Sequence, residues 1–498
     1  MSLHGWIPVS WQPDLRERAG WGVLLVAVSL AAGVVALRTD DPIAIAGLLG
    51  AVPILLALLV MVHNLFLGVV LYLVCEYLQP GFRLHALGQL HPTFAVAGGF
   101  LFAYVLNVLA KRAPLSIHNW QVKGFAVFLL IVAASAYNAI SVPRVFYAGM
   151  DIFKTACIFF VFIQVIDRVV RLKRLIWTYV VIHFLLAMIG VAIFVTGSTR
   201  HFGDVGGSFL GDENDSAMAL LIMLPYVYFM LQITRRRAVK IFLVLAMLAG
   251  ATSVLFSFSR GAFVGFIATV GYLWIKSTKK VAAAAGLTAF VILFLAVMPQ
   301  TYWQRIESIR GYKTEGSAQG RLDAWEGALE MLHDHPLVGV GADNFNRTFG
   351  ELYNRNSARW TAAHSLYFQT IGELGLAGAA FLLWFLTRNL IELARLRRRL
   401  RGRSPGTPPH ELYLLTLAVE CGLVSYLVTT IFLNSLFYPH LWHFAAVTAI
   451  ATNCVRRLEQ EGVLERPRAE LKALSGQGGQ DSLDPKRLPR RAAGMTAD

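Results

Sequence analysis

Residues 239–275 read VKIFLVLAMLAGATSVLFSFSRGAFVGFIATVGYLWI. Past Lys240 the only charge in this stretch is Arg260. A bilayer span takes about 20 mainly apolar residues, with a range of about 17–25. The stretch therefore divides into two spans, 239–258 and 261–275, with Arg260 between them. An arginine at the centre of a membrane helix costs about 2.5–3.5 kcal/mol on insertion scales. The cost falls where the side chain can snorkel to the interface, so Arg260 is expected at a membrane surface. The run shows no alternation of apolar and polar residues, and that excludes a β-barrel strand pair.

Working outward, the same pattern recurs along the chain. Further apolar runs lie at 21–37, 43–61, 65–78, 93–110, 124–141, 150–166, 175–196, 215–233, 281–298, 364–386, 412–433 and 440–455. Several are short, so the expectation is an all-α polytopic membrane protein with about 12–14 transmembrane helices. Composition agrees. Of 498 residues 56% are hydrophobic, mean hydropathy is +0.56 and only 15% are charged, against about 25% in a soluble domain. The net charge of +15 would suggest nucleic acid in a soluble protein, but no phosphate loop, zinc-finger spacing or RNA-binding signature accompanies it. Nucleic acid is set aside as a partner; membrane lipids are the expected surroundings. Cys75, Cys157, Cys421 and Cys454 lie in or beside apolar runs without a CxxC pair and read as small buried hydrophobes. The run 21–37 is followed by Arg38-Thr39-Asp40-Asp41 rather than a small-residue cleavage site, which argues against a cleavable signal peptide.

The basic residues sort by loop. Alternate connections carry Arg16/Arg18, Lys111/Arg112/Lys123, Arg168/Arg171/Lys173/Arg174, Arg235–Arg237, Lys276/Lys279/Lys280 and the run Arg395–Arg403. The intervening short connections carry at most one each: Arg38, Arg83, Arg144, Arg200 and Arg260. The positive-inside rule then puts both termini in the cytoplasm and the sparse loops outside. One outer loop, 299–363, is long, and long loops in compact proteins are usually functional or disordered. Its aromatics argue against disorder, and 323–333 has the apolar spacing of a short amphipathic helix ended by Pro336 and the glycines behind it. The expected organisation is an N-terminal membrane region 1–200, a second membrane domain 201–455 containing the outer loop 299–363, and a basic, disordered cytoplasmic tail 456–498.

Three clusters fall on the outer face. Gly206–Asp215 precedes a span, and Asn214 or Asp215 reads as a helix cap or as a substrate contact. Ser259-Arg260-Gly261 reads as a hairpin turn with a snorkelling arginine, or as an anion clamp whose glycine admits a phosphate. Arg321, expected at the start of the amphipathic helix, is either merely solvated or a phosphate ligand helped by the helix dipole. His364-Ser365 opens a span, where a single histidine is more often structural than catalytic. His333 and His335 point to different helix faces, and with no third ligand nearby no metal is expected.

Taken together these stretches resemble the membrane domain of the O-antigen ligase and polymerase superfamily over roughly 205–385. The resemblance rests on Gly207–Asp215, Phe258-Ser-Arg260-Gly261, Gly320-Arg321-Leu-Asp-Ala-Trp325 followed by His335-Pro-Leu-Val-Gly-Val-Gly341, and a histidine motif. That motif runs His364-Ser365, nine residues, Gly375, two residues, Gly378. Residues 1–200 look more like the branch associated with exosortase and exopolysaccharide loci, the O-glycosylation ligases. The resemblance implies an inverting, metal-independent and cofactor-free glycosyltransferase. The donor would be an undecaprenyl-diphosphate-linked glycan, and the acceptor a hydroxyl of lipid A-core, of a second lipid-linked glycan, or of a protein. Carried over by position, His364 would be the essential histidine and Arg260 and Arg321 the diphosphate-binding arginines, with Asn214, Asp215, Ser259 and Ser365 as further substrate contacts. Its rival within the family is a polymerase; its rival of another class is a lipid-linked glycan transporter. Against the transporter, Glu76, Asp151, Lys154 and Glu420 read as lying near span ends or standing alone.

Overall fold

The computed structural model describes residues 57–80, 91–196, 208–257, 259–277, 279–297, 316–354 and 361–464. Among these residues the chain is helical, without strands. In chain order the helices are α1 (Leu65–Leu78), α2 (Pro92–Leu109), α3 (Trp120–Ala134), α4 (Val142–Val165), α5 (Val169–Val195), α6 (Glu213–Ile233), α7 (Arg237–Phe256) and α8 (Arg260–Lys276). They continue with α9 (Lys280–Val297), α10 (Gly316–Asp334), α11 (Leu366–Leu400), α12 (Pro408–Thr429) and α13 (Pro439–Gln460). Eight of the described helical segments are long and apolar enough to cross a membrane by length and composition. The chain is an all-α, multi-pass membrane protein. The expected span 21–37 and most of 43–61 lie outside the described residues.

Connections of a few residues, such as Thr234–Arg236 between α6 and α7, make successive helices antiparallel. The centre is α6 packed against α12, each with 78% of its apolar window buried. Close approach here depends on small residues. A Cβ on Gly265 of α8 would lie 2.4 Å from Thr429 Oγ1 on α12, and one on Gly422 of α12 would lie 3.0 Å from the Ile222 carbonyl of α6.

Several boundaries differ from the sequence expectation. The amphipathic helix expected at 323–333 is α10, which begins at Gly316. Its first residues, Gly-Ser-Ala-Gln-Gly, have no apolar rhythm to betray it. Arg321 therefore sits in the second turn rather than at the helix start, and the N-terminal dipole, confined to the first turn, does not support it. The arginine run 395–401, expected as a loop, continues α11 to Leu400. Carboxylates of neighbouring helices hold it there: Arg397 pairs with Glu420 and Arg399 with Glu459. Likewise α13 runs on to Gln460, so the tail expected from 456 starts later; 465–498 lie outside the described residues.

The charged residues expected to stand alone do not. Glu420 also meets Lys276 at 3.0 Å and accepts from Tyr272 at 2.5 Å. Asp151 pairs with Lys154 one helical turn on. Glu76 accepts from Tyr72 at 2.7 Å and lies 3.5 Å from His443 Nε2, while His443 Nδ1 meets the Tyr77 hydroxyl at 2.9 Å. His183 and His440 pack around Tyr77 and are also buried.

Candidate functional site at one end of the bundle

The expected outer-face residues gather where α6, α8 and α11 begin. Asp212 caps α6: its carboxylate accepts the Asn214 backbone N–H at 2.6 Å and the Asn214 side-chain amide at 2.7 Å. The sequence offered Asn214 or Asp215 as that cap; the residue in front of both does the work, because the cap position needs extended backbone, and Asp212 has φ −127°, ψ 153°. Asn214 instead accepts the Ser259 hydroxyl, and Ser259 caps α8 by accepting the Ala262 N–H at 3.0 Å. Asn214 and Ser259 thus tie two helix starts together. Asp215, buried, accepts the Tyr438 hydroxyl at 2.9 Å.

Arg260, the first residue of α8, is exposed, and Arg321 on α10 is half-buried. The two share one field. Burial and the charge of Arg260 push the Arg321 guanidinium below its usual value, and Asp212 opposes them. His364 belongs to the same group. Burial lowers its pKa from the usual 6.5, Arg321 lowers it further, and Asp212 works the other way. His364 is therefore neutral at neutral pH, in the field of Arg321 and of Asp212.

Two features fix the histidine. The Trp325 indole on α10 donates to the Ala363 carbonyl at 2.9 Å, and its ring stacks on Phe368 of α11 at 4.7 Å. His364 then takes φ +45°, in the left-handed region, before Ser365 returns to extended backbone. Non-glycine residues rarely occupy that region, and where they do it is often functional. Ser365 is buried. Its N–H donates to Asn434 at 3.2 Å and its carbonyl accepts from Gln369 at 2.9 Å. Its place is in the backbone that aims His364.

A break in α11 completes the frame. Gly375 has φ +60° and ψ −154° inside the helix. The groups freed by the break pair with the strap 336–341. Leu376 and Ala377 donate to the Pro336 and Leu337 carbonyls at 2.8 and 3.1 Å. Val340 and Gly341 donate to the Gly372 and Glu373 carbonyls at 2.9 and 3.0 Å. A Cβ on Gly339 would lie 2.5 Å from the Glu373 carbonyl carbon, and one on Gly375 would lie 2.7 Å from the Pro336 oxygen. The glycines of the strap and the first glycine of the histidine motif are therefore one packing solution.

Beside the site a polar cavity of about 180 Å³ opens between the strap's end, α11 and the segment before α13. Asp343, Asn346, Gln369, Glu373, Asn434 and Tyr438 line it. Glu373 accepts the Asp343 N–H at 3.0 Å. Asn434 and Tyr438 link the cavity to Ser365 and Asp215. Sequence reading missed these residues. They are polar positions in loops or on apolar helices, brought together from segments far apart, and no local pattern marks them. Asp212 carried a signal, an acidic residue directly before a helix. Asp334, between the two histidines of the expected non-ligating pair, accepts the Tyr353 hydroxyl at 2.8 Å.

A multi-pass helical membrane protein with arginines, a neutral histidine and a polar cavity converging at one end of the bundle is the class defined so far. Residues 245–383 match the model of the O-antigen ligase family, and the match supports the O-antigen ligase superfamily for this part of the chain. The match supports an O-antigen ligase-type glycosyltransferase. It takes in Arg260, Arg321, the strap and the His364 motif, and leaves the Asp212–Asp215 turn outside. No curated protein matches the chain.

Proposed function

We propose that the protein transfers a glycan from undecaprenyl diphosphate to an acceptor hydroxyl on the periplasmic face of the bacterial inner membrane, with a lipid A-core sugar as acceptor. The observation that carries this reading is the grouping at one end of the bundle of Arg321 with Arg260, and of Arg321 and neutral His364 with Asp212. The reaction develops negative charge on a leaving diphosphate. Two arginines directed at that charge stabilise the transition state more than the ground state, and the planar guanidinium can bind two phosphate oxygens at once.

The acceptor oxygen attacks the anomeric carbon as the bond to the diphosphate oxygen breaks, which inverts the configuration. The acceptor proton passes to His364. Its lowered pKa supports the base role over a cationic phosphate contact: a histidine already protonated could take no proton. Bound diphosphate offsets the two arginine charges and so raises the basicity of His364 in the complex, where the proton is taken. Asp212 faces the imidazolium that results. The scheme assigns no step to a metal or cofactor. The polar cavity beside Ser365 has hydroxyl-binding groups suited to an acceptor sugar.

The orientation follows from charge. The end of the bundle opposite His364 gathers Arg235–Arg237 between α6 and α7, Lys276 at the end of α8, and Arg457 near the end of α13. By the positive-inside rule that end is cytoplasmic.

The transporter reading has an observation of its own: Glu76, His183, His440 and His443 lie buried together among spans, and intramembrane ionisable groups often mark transport paths. A photoreactive undecaprenyl-diphosphate glycan separates the two. Transfer chemistry at the outer end predicts crosslinks to α8, α10 and the start of α11. Labelling of the α1–α5–α13 interior instead would favour passage through the bundle.

A further inference from the structure

The opposite end of the bundle holds a second built cleft. Helix α6 ends at Ile233, the chain turns through Thr234-Arg235-Arg236, and α7 sets off at Arg237. Helix α5 starts at the same end and brings Lys173 and Arg174 to face this turn. Between them lies a groove of about 870 Å³. Its wall is apolar, with Trp177 on α5 facing Phe242 on α7 at 6.3 Å between ring centroids, and its rim is Lys173, Arg174, Arg235 and Arg236.

The rim is cationic. Lys173 is met by Glu411 at 2.8 Å, and the turn adds Arg235 and Arg236 to the same rim. Arg235 is held against the backbone near Gly406, where an added Cβ would lie 2.0 Å from its guanidinium nitrogen. An apolar groove closed at the membrane surface by fixed cations matches one ligand chemistry: acyl chains joined to an anionic phosphate headgroup. A free phosphate would leave the aromatic wall unused, and a zwitterionic lipid would leave the rim uncompensated. The far end of α6, where Asp212 and His364 lie, is about 31 Å away at about 1.5 Å per residue, so this cleft is not an extension of the site there.

We propose that this groove binds an anionic glycerophospholipid from the leaflet opposite His364. The test is lipid retention by the purified full-length protein, measured by native mass spectrometry in a neutral detergent. Phosphatidylglycerol, cardiolipin and phosphatidylcholine would be added at equal concentration, with inorganic phosphate as a competitor. The wild type should retain the two anionic lipids and release phosphatidylcholine, and millimolar phosphate should not displace them. Arg235→Gln with Arg236→Gln should lower retention at least about tenfold. Arg235→Lys with Arg236→Lys should keep most of it. Arg401→Gln with Arg403→Gln, at exposed positions that do not line the groove, should change nothing. Equal retention of all three lipids by the wild type overturns the proposal without any variant being needed. Displacement by phosphate, or an effect of the Arg401/Arg403 pair equal to that of Arg235/Arg236, overturns it too.

Discussion

Both ends of the bundle carry arginine, and the two sets are held differently. At the far end Arg397 is paired with Glu420, Arg399 with Glu459 and Arg457 with Asp167. These arginines fasten one helix to the next. At the other end Arg260 disfavours the charge on Arg321, Asp212 opposes it, and Arg321 in turn helps to keep His364 neutral. Placing like charges together costs stability unless an anion joins them. In the crowded basic run from Arg395, which dominates the sequence to the eye, Arg397 and Arg399 are thus fastening, while two arginines set singly among apolar and polar residues form the candidate site. Charge density alone would have pointed to the opposite end from the candidate site.

That contrast can be broken by substitution. The largest effect is expected at His364. His364→Ala should lower turnover at least about a hundredfold in protein of normal membrane yield, read as glycan transferred per minute. Next come the two arginines. Arg321→Ala should reduce kcat about 10²–10³-fold, the scale for removing one donor to a developing oxyanion, and Arg321→Lys should recover only part of it because the fork is lost. Arg399→Ala at the far end should leave kcat unchanged, since it acts only on helix packing. An equal loss at Arg399 would erase the distinction between the two ends.

The pH profile sharpens the same point. The pKa of His364 is held below 6.5 in the free protein. Protonation removes the base, so kcat/KM should be flat through neutral pH and fall only as pH drops through that lowered value. Arg321→Gln removes a cation that depresses it, and the acid limb should move to higher pH. A limb that stayed in place would mean that the titrating group is not His364. A smaller effect is expected at Gly339→Ala, where positive φ and a 2.5 Å clash with the backbone of α11 meet. Strain of this kind costs about 1–3 kcal/mol, seen as a lower melting temperature together with lost activity as the strap lifts. Smallest is Asn214→Ala, which loosens the link between the starts of α6 and α8; about 1 kcal/mol of stability is the scale of such a contact.

The spans were readable because twenty apolar residues in a row have few other uses, and each apolar run from 65 onward has a helix at its position. What could not be read is what depends on partners. Nothing local says that α11 breaks at Gly375, because the break is stable only where the strap 336–341 takes up the freed backbone groups. Nothing local says that 395–400 is helix, because Glu420 and Glu459 come from other helices. In the site, Arg260 was legible as a charge interrupting an apolar run, while Arg321 in a polar loop and His364 at a span's start were singled out by the resemblance; Arg321 lies in the field of Arg260, and His364 in that of Arg321. Asn214 and Ser259 were legible as polar turn residues, but their choice between cap and ligand depended on each other. Tyr438, Asn434 and Glu373 were not legible at all.

The most direct measurement is transfer by the purified protein, with an undecaprenyl-diphosphate glycan as donor, lipid A-core as acceptor, and a second lipid-linked glycan and a carrier protein offered in parallel. EDTA would be present throughout, and His364→Ala run beside the wild type. Transfer to lipid A-core by the wild type and not by the variant is the predicted result. Equal transfer by His364→Ala, or donor bound tightly with no transfer to any of the three acceptors, would contradict it.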